Sequence, residues 1–292
     1  MLLPNTPLQN KQIDSIPQSL VTNMVKSALM EDIGNLQGNN INSDLISSDK
    51  VMTAQVITRE DIILCGSQWV DTVFKIIDSD LIIQWHYSDR QLISANKVVF
   101  TVAGLVRNIL SGERTALNFL QTLSAVATKT WRYKVALQGT TACILDTRKT
   151  IPGYRIAQKY AVNCGGGLNH RMGLFDSFLI KENHILACNN SIASAVISAK
   201  KIAPNKFIEV EVENLQQFSD ALKLPINLIM LDNFNLTDMR TAVKFARGKI
   251  KLEASGNVSL NTVKSIAKTG VDFISVGDLT KNLQAVDLSM RF

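Results

Sequence analysis

Short apolar runs alternate with amphipathic segments throughout the second half of the chain. Strand-like runs fall at residues 143–146, 178–181, 207–212, 228–231, 250–254 and 273–276. Segments with the apolar spacing of helices lie between them, at about 155–162, 190–203, 215–223, 237–247 and 261–269. Regular strand–helix alternation predicts parallel strands joined by right-handed crossovers.

The spacing of these repeats is typical of a β/α barrel. A complete eight-stranded barrel takes about 250 residues, and the section from residue 143 onwards is far shorter. We therefore expect an incomplete barrel of six or seven strands. The alternative is an open doubly wound sheet. It is disfavoured because no GxGxxG motif follows a strand and the glycines at 165–167 follow a helix.

Before residue 110 the pattern mixes strands and helices without steady alternation. Residues 1–18 are polar and are interpreted as an extended lead-in. Helices are predicted at 20–30, ending near Gly34, and at 69–77. Strands are predicted at 51–58, 62–65, 81–85 and 98–102. Strands this close in sequence indicate an α+β layer domain.

A long helix is expected over residues 112–137, with Ser111 as its N-cap. Glu113 suits the positive end of the helix dipole, but Arg114 in the same first turn does not. A cation placed against the dipole suggests a role other than helix stability, although a solvated arginine is the simpler interpretation.

Composition narrows the class of protein. The chain has 292 residues and is 46% hydrophobic, so it can bury a full core. Its net charge of +6 favours acidic partners, yet no basic run with interleaved aromatic residues supports nucleic-acid binding. No apolar run approaches the roughly 18 residues of a membrane span, and the first residues lack the features of a secretory signal.

The cysteines of the chain form no CxxC pair. A chain of this length does not need disulfides, so we expect a reduced, cytoplasmic setting. In that setting Cys65, Cys143, Cys164 and Cys188 are small core residues. A zinc site is disfavoured because no cysteine–histidine pair has ligand spacing.

The segment from residue 144 to residue 184 concentrates cations among glycines. It contains Arg148, Lys149, Arg155, Lys159, Arg171 and Lys181 against Asp146, Asp176 and Glu182. Arginine offers a planar donor fork to carboxylate or phosphate, lysine offers a point charge, and glycine lets the backbone approach a ligand. We interpret the segment as a site for a multiply charged anion rather than as a solvated basic loop.

Residues also sort by type at the predicted strand ends, where barrel active sites lie. Successive ends carry Asp146, Thr147, Arg148 and Lys149, then Lys181, Glu211, Asp232, the 253–257 segment and the 275–277 segment. Cations come first, carboxylates follow, and loops of serine and glycine suited to phosphate come last. The order predicts a phosphorylated substrate with a second anionic group. Glu211 and Asp232 would hold a divalent metal or hydroxyls.

Each of these residues also has a structural interpretation. Glu211 alternates with valines, as on a strand with one solvated face. Asp232 could cap a turn or a helix. His170, between the glycines and Arg171, could be a structural histidine, and loops of serine and glycine are common.

The sequence resembles the quinolinate phosphoribosyltransferase family. The matching segments are LMEDIG at 29–34, GERTALN at 112–118, DTRKTIPG at 146–153, KYAVNCGGGLNHR at 159–171, LIKENH at 179–184, EVEVEN at 209–214, LDNF at 231–234, EASGN at 253–257 and ISVGDLTK at 274–281. Together they cover nearly the whole chain in family order and are highly specific. Small departures at residues 43–46 and 281–282 do not touch the central motifs.

The resemblance implies a fold and an assembly. The fold is an N-terminal α/β sandwich domain at residues 1–111, with the tail at 282–292 packed back on it, and an open β/α barrel catalytic domain at 112–281. The assembly is a homodimer in which Arg114 enters the active site of the neighbouring subunit. That role would explain the place of Arg114 in its helix. Neither nucleic acid nor a membrane is an expected partner.

The implied activity is transfer of phosphoribosyl from phosphoribosyl diphosphate to quinolinate with decarboxylation, a step of de novo NAD biosynthesis, with Mg²⁺ as cofactor. The residues implied to contact the quinolinate carboxylates are Arg148, His170, Arg171 and Lys181. Lys149, Glu211 and Asp232 are the implied catalytic residues, with Lys149 on the diphosphate and the two acids on the ribose and Mg²⁺. The other implied substrate-binding residues, several of them around the 5-phosphate, are Arg114, Thr147, Ser255, Gly256, Asn257, Ser275, Val276, Gly277 and Lys281.

Two alternatives stay open. A related phosphoribosyltransferase acting on nicotinate or another pyridine acid would use the same barrel, but a single carboxylate does not require so many cations. A non-catalytic phosphate-binding barrel has no need for carboxylates opposite a cation cluster.

Overall fold

The computed structural model describes residue 13, residues 15–34 and residues 41–292. Most of the predicted lead-in, and part of the loop that follows the first helix, therefore lie outside the described residues. The described chain forms two compact units. One comprises Ile13–Trp131, Ile156–Gly166 and Leu283–Phe292, and the other includes Arg132–Arg155 and Gly167–Asn282.

The first unit is built on an antiparallel sheet. Its strands, in spatial order, are β12 (Leu288–Arg291), β1 (Val51–Thr58), β5 (Val98–Leu105) and β3 (Ile82–Trp85). A two-stranded sheet pairs β2 (Ile62–Ile63) with β4 (Leu92–Ile93). The helices are α1 (Gln18–Ile33) and α2 (Ser67–Ile77), and Ile41–Leu45 forms a 3₁₀ turn. The final strand of the chain thus supplies one edge of a sheet made otherwise from early residues.

Local chemistry explains the ends of these helices. Gly34 has φ 77° and its N–H donates to the carbonyl of Met30, so it ends α1 as predicted. Gly66 precedes α2 with φ 118° and has no side chain to cap the helix. The carboxylate of Asp89 accepts the N–H groups of Gly66 and Ser67 instead, which satisfies donors at the start of α2.

The long helix α3 (Val106–Ala136) begins earlier than predicted. The assignment of Ser111 as its N-cap is wrong, because the Ser111 hydroxyl lies inside the helix and donates to the carbonyl of Arg107. Arg114 is consequently beyond the first turn, and the dipole argument against it does not apply. The predicted domain boundary between residues 111 and 112 lies within this helix, and the domain ranges stay a prediction.

The second unit is built on six parallel strands. They are β6 (Cys143–Leu145), β7 (Ser177–Ile180), β8 (Phe207–Val212), β9 (Leu228–Asp232), β10 (Lys251–Ser255) and β11 (Phe273–Ser275). Their spatial order is β6-β11-β10-β9-β8-β7, and each pair is parallel. The order never reverses, which excludes a doubly wound sheet. The predicted incomplete barrel of six or seven strands is confirmed, with six strands.

The barrel is open between β6 and β7, the first two strands in sequence. At that opening Leu168 forms a single parallel bridge with Leu145, so the segment after the glycines lies beside β6. The helices that follow these strands in sequence are α4 (Arg155–Cys164), α5 (Glu182–Ala187), α6 (Ile192–Ile202), α7 (Leu215–Ala221), α8 (Leu236–Ala246), α9 (Val263–Ala267) and α10 (Asp278–Lys281). After its first residue, α4 belongs to the first unit.

Burial in the barrel follows its parallel topology. Strand β9 is buried at every residue up to Asp232, as expected where both faces of a sheet are covered. Leu145, Leu228 and Phe273 pack together as one apolar cluster. None of the helices in the described part of the chain combines the length and apolarity that crossing a bilayer would require.

Candidate active site

Two cavities lie at the carboxyl ends of the barrel strands, where the sequence predicts the site. The larger has a volume of about 680 Å³ and the smaller about 390 Å³. The residues that line both are Thr147, Lys149, Asp232, Ser255 and Ser275. The two cavities therefore adjoin, and a ligand of two parts can occupy both.

The larger cavity is lined mostly by small and polar residues from the ends of β9, β10 and β11. Its other lining residues are Asn233, Gly256, Asn257, Val258, Ser259, Gly277, Asp278, Lys281 and Asn282. Hydroxyls, amides and backbone groups beside Lys149 and Lys281 suit a phosphate. We refer to it as the phosphate cavity.

A network of asparagines shapes one wall of the phosphate cavity. Asn233 adopts φ 54°, and its side-chain amide donates to the Asp232 carboxylate at 2.8 Å. Its backbone N–H donates to the carbonyl of Ser255 at 2.9 Å, which ties the end of β9 to the end of β10. Gly256 has φ 98°, and a Cβ at that position would collide with Asn233 Oδ1. Only glycine fits there, because both the backbone conformation and the space exclude a side chain.

The backbone of Lys149, which also lines the phosphate cavity, is held by two hydrogen bonds. Its backbone N–H donates to the Thr147 hydroxyl at 3.0 Å, and its carbonyl accepts from the Thr280 hydroxyl at 2.7 Å. A Cβ on Gly277 would lie 3.1 Å from Lys149 Cδ, so the lysine stem runs close over that glycine. These contacts fix the strand end that carries the cation.

The smaller cavity gathers cations on one side and carboxylates on the other. Besides the shared residues, it is lined by Arg148, His170, Arg171, Leu179, Lys181, Glu211, Met230 and Glu253. We refer to it as the cation cavity. Burial, and then the charge of Arg148, lowers the pKa of Arg171, so the two guanidinium groups are close enough to repel. A dianion bound between them would relieve that repulsion.

Arg148 gives the clearest sign of a missing partner. Its Nε is buried and has no hydrogen-bond acceptor among the described residues. An unsatisfied buried donor on a charged group costs about 1–3 kcal/mol or more. A carboxylate in the cation cavity would satisfy it.

Asp232 lies where the two cavities meet, and Glu211 lines the cation cavity near it. Burial, and next the charge of Asp232, raises the pKa of Glu211, while Lys181 opposes that rise. Two carboxylates close enough to influence each other provide hard oxygen ligands of the kind that Mg²⁺ takes. The pair therefore fits a bound divalent cation, and it equally fits a substrate that develops positive charge.

His170 is turned towards the protein rather than the cavity. Its Nδ1 accepts the backbone N–H of Arg171 at 2.8 Å, and its Nε2 lies 2.8 Å from Glu209 Oε2 and 3.6 Å from Glu253 Oε2. Asp146 fixes the same segment by accepting the His170 N–H at 2.8 Å and the Asn169 amide at 2.6 Å. Both ring nitrogens are thus engaged by protein groups, an arrangement suited to positioning Arg171.

His170, Glu209 and Glu253 form a buried acid cluster. Burial lowers the pKa of His170, but the charges of Glu209 and Glu253 outweigh it and raise the pKa to about 9. The N–H donated to Nδ1 resists that protonation, because an imidazolium carries hydrogen on both nitrogens. Burial and then Glu209 raise the pKa of Glu253 to about 8. We therefore assign the proton at neutral pH to Glu253, with His170 donating from Nε2 to Glu209.

The structure brings most of the predicted site residues together. Val276 and Arg114 are the exceptions, since neither lines a cavity. Val276 is buried and its N–H donates to the carbonyl of Leu145, while Arg114 is exposed on α3. Sequence reasoning did not assign Glu209 or Asn233, both within the matched motifs. The signal available for Glu209 was an acid between apolar residues of a predicted strand. The signal for Asn233 was its position directly after the aspartate that ends a strand.

The fold and the two cavities define a barrel enzyme for a phosphorylated substrate and a second, multiply anionic one. The family description "Quinolinate phosphoribosyl transferase, C-terminal domain" matches residues 126–291, and the corresponding N-terminal domain matches residues 40–124. The chain belongs to the quinolinate phosphoribosyltransferase family.

Several known proteins resemble the chain over most of its length. The solved nicotinate-nucleotide pyrophosphorylase of Francisella tularensis superposes with a TM-score of 0.92 at 49% identity, covering 98% of this chain and 99% of that one. A carboxylating nicotinate-nucleotide pyrophosphorylase of Oryza sativa is 38% identical, over 92% of this chain and 76% of its own. A probable carboxylating nicotinate-nucleotide pyrophosphorylase of Bacillus subtilis is 36% identical over 89% of each chain.

Proposed function

We propose that the chain transfers the phosphoribosyl group of phosphoribosyl diphosphate to quinolinate, with release of diphosphate and CO₂ and formation of nicotinate mononucleotide. The observation that carries this proposal is the junction of the two cavities. A cavity of cations, with an unsatisfied Arg148 Nε and the Glu211 carboxylate, meets a cavity suited to phosphate at the carboxylate of Asp232. Family membership gives the same reaction, a pentosyl transfer in NAD biosynthesis.

The cation cavity is proposed to bind quinolinate. Quinolinate carries two adjacent carboxylates, and the fork of an arginine matches a carboxylate in its plane. Arg148 and Arg171 supply two such forks and Lys181 a further charge. In this proposal His170 acts through the backbone of Arg171 rather than by direct contact, because both its nitrogens are already bonded.

The phosphate cavity is proposed to bind the phosphoribosyl group. The loops at Ser255–Asn257 and Ser275–Gly277 would hold the 5-phosphate, together with Lys281, and Thr147 and Lys149 would face the diphosphate. Val276 contributes to this loop by its packing, since its N–H already donates to Leu145. Fixed donors of this kind position the substrate before the reaction and so lower its entropic cost.

Glu211 and Asp232 are proposed to stabilise the transition state. Positive charge develops on the ribose ring as the bond from C1 to the diphosphate breaks. The two carboxylates stabilise that positive charge, while Lys149 stabilises the departing diphosphate. The quinolinate nitrogen then forms the new bond to C1 as the diphosphate leaves. The resulting pyridinium stabilises the electron pair left on the ring carbon when the adjacent carboxylate departs as CO₂, and that carbon then takes up a proton from water.

Mg²⁺ is the proposed cofactor. Glu211 and Asp232 would hold it, directly or through water, and the bound ion would supply charge neutralisation beside the diphosphate. The raised pKa of Glu211 supports this assignment, since a cation beside the two acids would offset their mutual repulsion.

We further propose that the enzyme acts as a homodimer in the cytoplasm, without nucleic acid or a membrane as partner. Arg114 is exposed on α3 and lines neither cavity of its own chain. An exposed arginine of this kind is available to the site of a second copy. The four free cysteines fit a reducing compartment.

The test is a mass-spectrometric assay of purified protein with phosphoribosyl diphosphate and Mg²⁺, with quinolinate in one tube and nicotinate in another. Nicotinate mononucleotide and CO₂ from the quinolinate tube alone are expected. Product from nicotinate only would replace quinolinate by a monocarboxylate substrate and overturn the dicarboxylate assignment. Failure of a folded protein in both tubes would leave a binding barrel as the remaining function.

A further inference from the structure

Arg155, at the first position of α4, joins the two loops that carry the arginines of the cation cavity. Its NH1 donates to the carbonyl of Met172 at 3.1 Å, and its NH2 donates to the carbonyl of Arg148 at 3.3 Å. Its Nε donates to the Thr150 hydroxyl at 3.1 Å, which orients the plane of the guanidinium. One planar group therefore spans the loop after β6 and the loop before β7.

The two backbones joined in this way carry Arg148 and Arg171. Arg155 bonds the carbonyl of Arg148 itself and the carbonyl of the residue directly after Arg171. The charge of Arg148 lowers the pKa of Arg171, so the two side chains repel across the cavity. The segment before Arg171 pairs with β6 at one point, where the Leu168 N–H donates to the carbonyl of Ile144 and the Leu168 carbonyl accepts the N–H of Asp146. The Arg155 contacts to Arg148 and Met172 lie beyond that bridge, so Arg155 ties the two backbones where they carry the arginines.

We propose that Arg155 is a positioning residue that sets the separation of the Arg148 and Arg171 guanidinium groups and so selects an acid with two adjacent carboxylates. The positive charge of Arg155 cannot attract the guanidinium groups of Arg148 and Arg171. Its contribution is geometric, because three donors in one rigid plane reach three neutral acceptors. Lysine at this position keeps the charge but has a single ammonium on a flexible stem, which cannot hold both carbonyls and the hydroxyl in that arrangement.

The proposal rests on the proposed function and specifies how its dicarboxylate pocket is built. The probes are two isomers of equal charge. In pyridine-2,3-dicarboxylate (quinolinate) the carboxylates are on adjacent carbons, and in pyridine-2,5-dicarboxylate they are on opposite sides of the ring. Dissociation constants are measured by calorimetry on full-length protein, and the ratio of the 2,5 to the 2,3 value is compared between variants. Steady-state KM values for quinolinate and phosphoribosyl diphosphate are measured alongside.

For Arg155→Lys we expect kcat/KM for quinolinate to fall by about tenfold to a hundredfold, the range caused by misplacing a substrate by about 1 Å. The isomer ratio should fall towards one. KM for phosphoribosyl diphosphate should change by less than about threefold, since none of the three residues that accept from Arg155 lines the phosphate cavity. Thr150→Val removes only the bond to Nε and should lower the isomer ratio by a smaller factor. Arg107→Lys is the matched control, because Arg107 is also half-buried and donates from Nε to a carbonyl and from NH1 to a second acceptor.

An unchanged isomer ratio in a folded Arg155→Lys protein overturns the proposal, even if its activity is reduced. If Arg155→Lys does not fold, an unchanged ratio in Thr150→Val overturns it. A wild-type protein that neither binds nor uses quinolinate would instead refute the proposed function. A wild-type protein that uses quinolinate while both variants keep its isomer ratio would refute only the role of Arg155.

Discussion

A buried carboxyl beside the cation cavity links the site to protein stability. Glu253 has no exposed surface, and its carboxyl lies in a buried cluster with Glu209 and His170, whose Nε2 is 3.6 Å from Glu253 Oε2. A carboxyl with a pKa of about 8 in the folded chain, against an ordinary value of 4.5, binds its proton more tightly when folded. The stability it contributes is fully present below pH 4.5 and is lost as the pH rises through 8.

We therefore expect Glu253→Gln to flatten the alkaline side of the stability profile. Glutamine keeps the size of the protonated acid and cannot ionise. The Tm of the Glu253→Gln variant should therefore fall less than that of the wild type between pH 6 and pH 9. Thermal melts at intervals across that range measure the difference. Glu213→Gln is the control, since Glu213 is exposed two residues beyond Glu211 on the chain. Parallel profiles for wild type and Glu253→Gln would show that Glu253 is already ionised at neutral pH.

Arg148 is the residue on which the proposed binding of quinolinate depends most directly. Removing its charged hydrogen bonds in Arg148→Ala should lower kcat/KM for quinolinate by about tenfold to a hundredfold, the equivalent of roughly 1.5–3 kcal/mol. Tm should not fall, because the substitution also removes the repulsion between Arg148 and Arg171. Arg240→Ala, on the exposed side of α8, provides the comparison. An unchanged kcat/KM would exclude Arg148 from the binding of the acid.

At the scale of elements, the carboxyl ends of the strands contribute more residues to the site than the rest of the strands does. The six barrel strands and their order could be predicted, because apolar runs and helical spacing are local patterns and parallel topology follows from them. The start of α3 could not, since Val106 continues from β5 without a break and Ser111 resembles a cap. The inward turn of His170 depends on Glu209 within β8, Glu253 within β10 and Asp146 directly after β6. Such long-range contacts leave no local signal in the sequence.

The turn after β10 shows how closely one element depends on another. Gly256→Ala should destabilise the protein more than Gly248→Ala does. Both glycines have positive φ, but Gly248 has open space around it while Gly256 faces Asn233. The strain of a positive φ alone costs about 1–2 kcal/mol, and the collision adds to it. Chemical denaturation compares the two, and KM for phosphoribosyl diphosphate should rise only for Gly256→Ala. Equal losses of stability in both variants would contradict the role assigned to Asn233.

At the scale of the whole molecule, the proposed homodimer predicts complementation between two variants of low activity. Arg114→Ala and Arg148→Ala would each lack one part of every site. If Arg114 crosses to the neighbouring subunit, half of the dimers in an equal mixture are hybrids with one intact site each. Refolding the two variants together should then restore about a quarter of wild-type activity. Activity no greater than the sum of the separate variants would place Arg114 outside the partner's site.

The pairing of β12 with β1 has a consequence for how the protein is made. Strand β1 emerges early in synthesis, paired on one side by β5, while its other edge is covered only by residues 288–291. Until residues 288–291 leave the ribosome tunnel, the nascent chain presents an unpaired edge of β1. Unpaired strand edges are the surfaces through which sheets aggregate. Truncation before residue 288 would therefore expose the edge of a sheet built from β1 and β5, and we expect the nascent chain to depend on chaperones until residues 288–291 have left the ribosome tunnel.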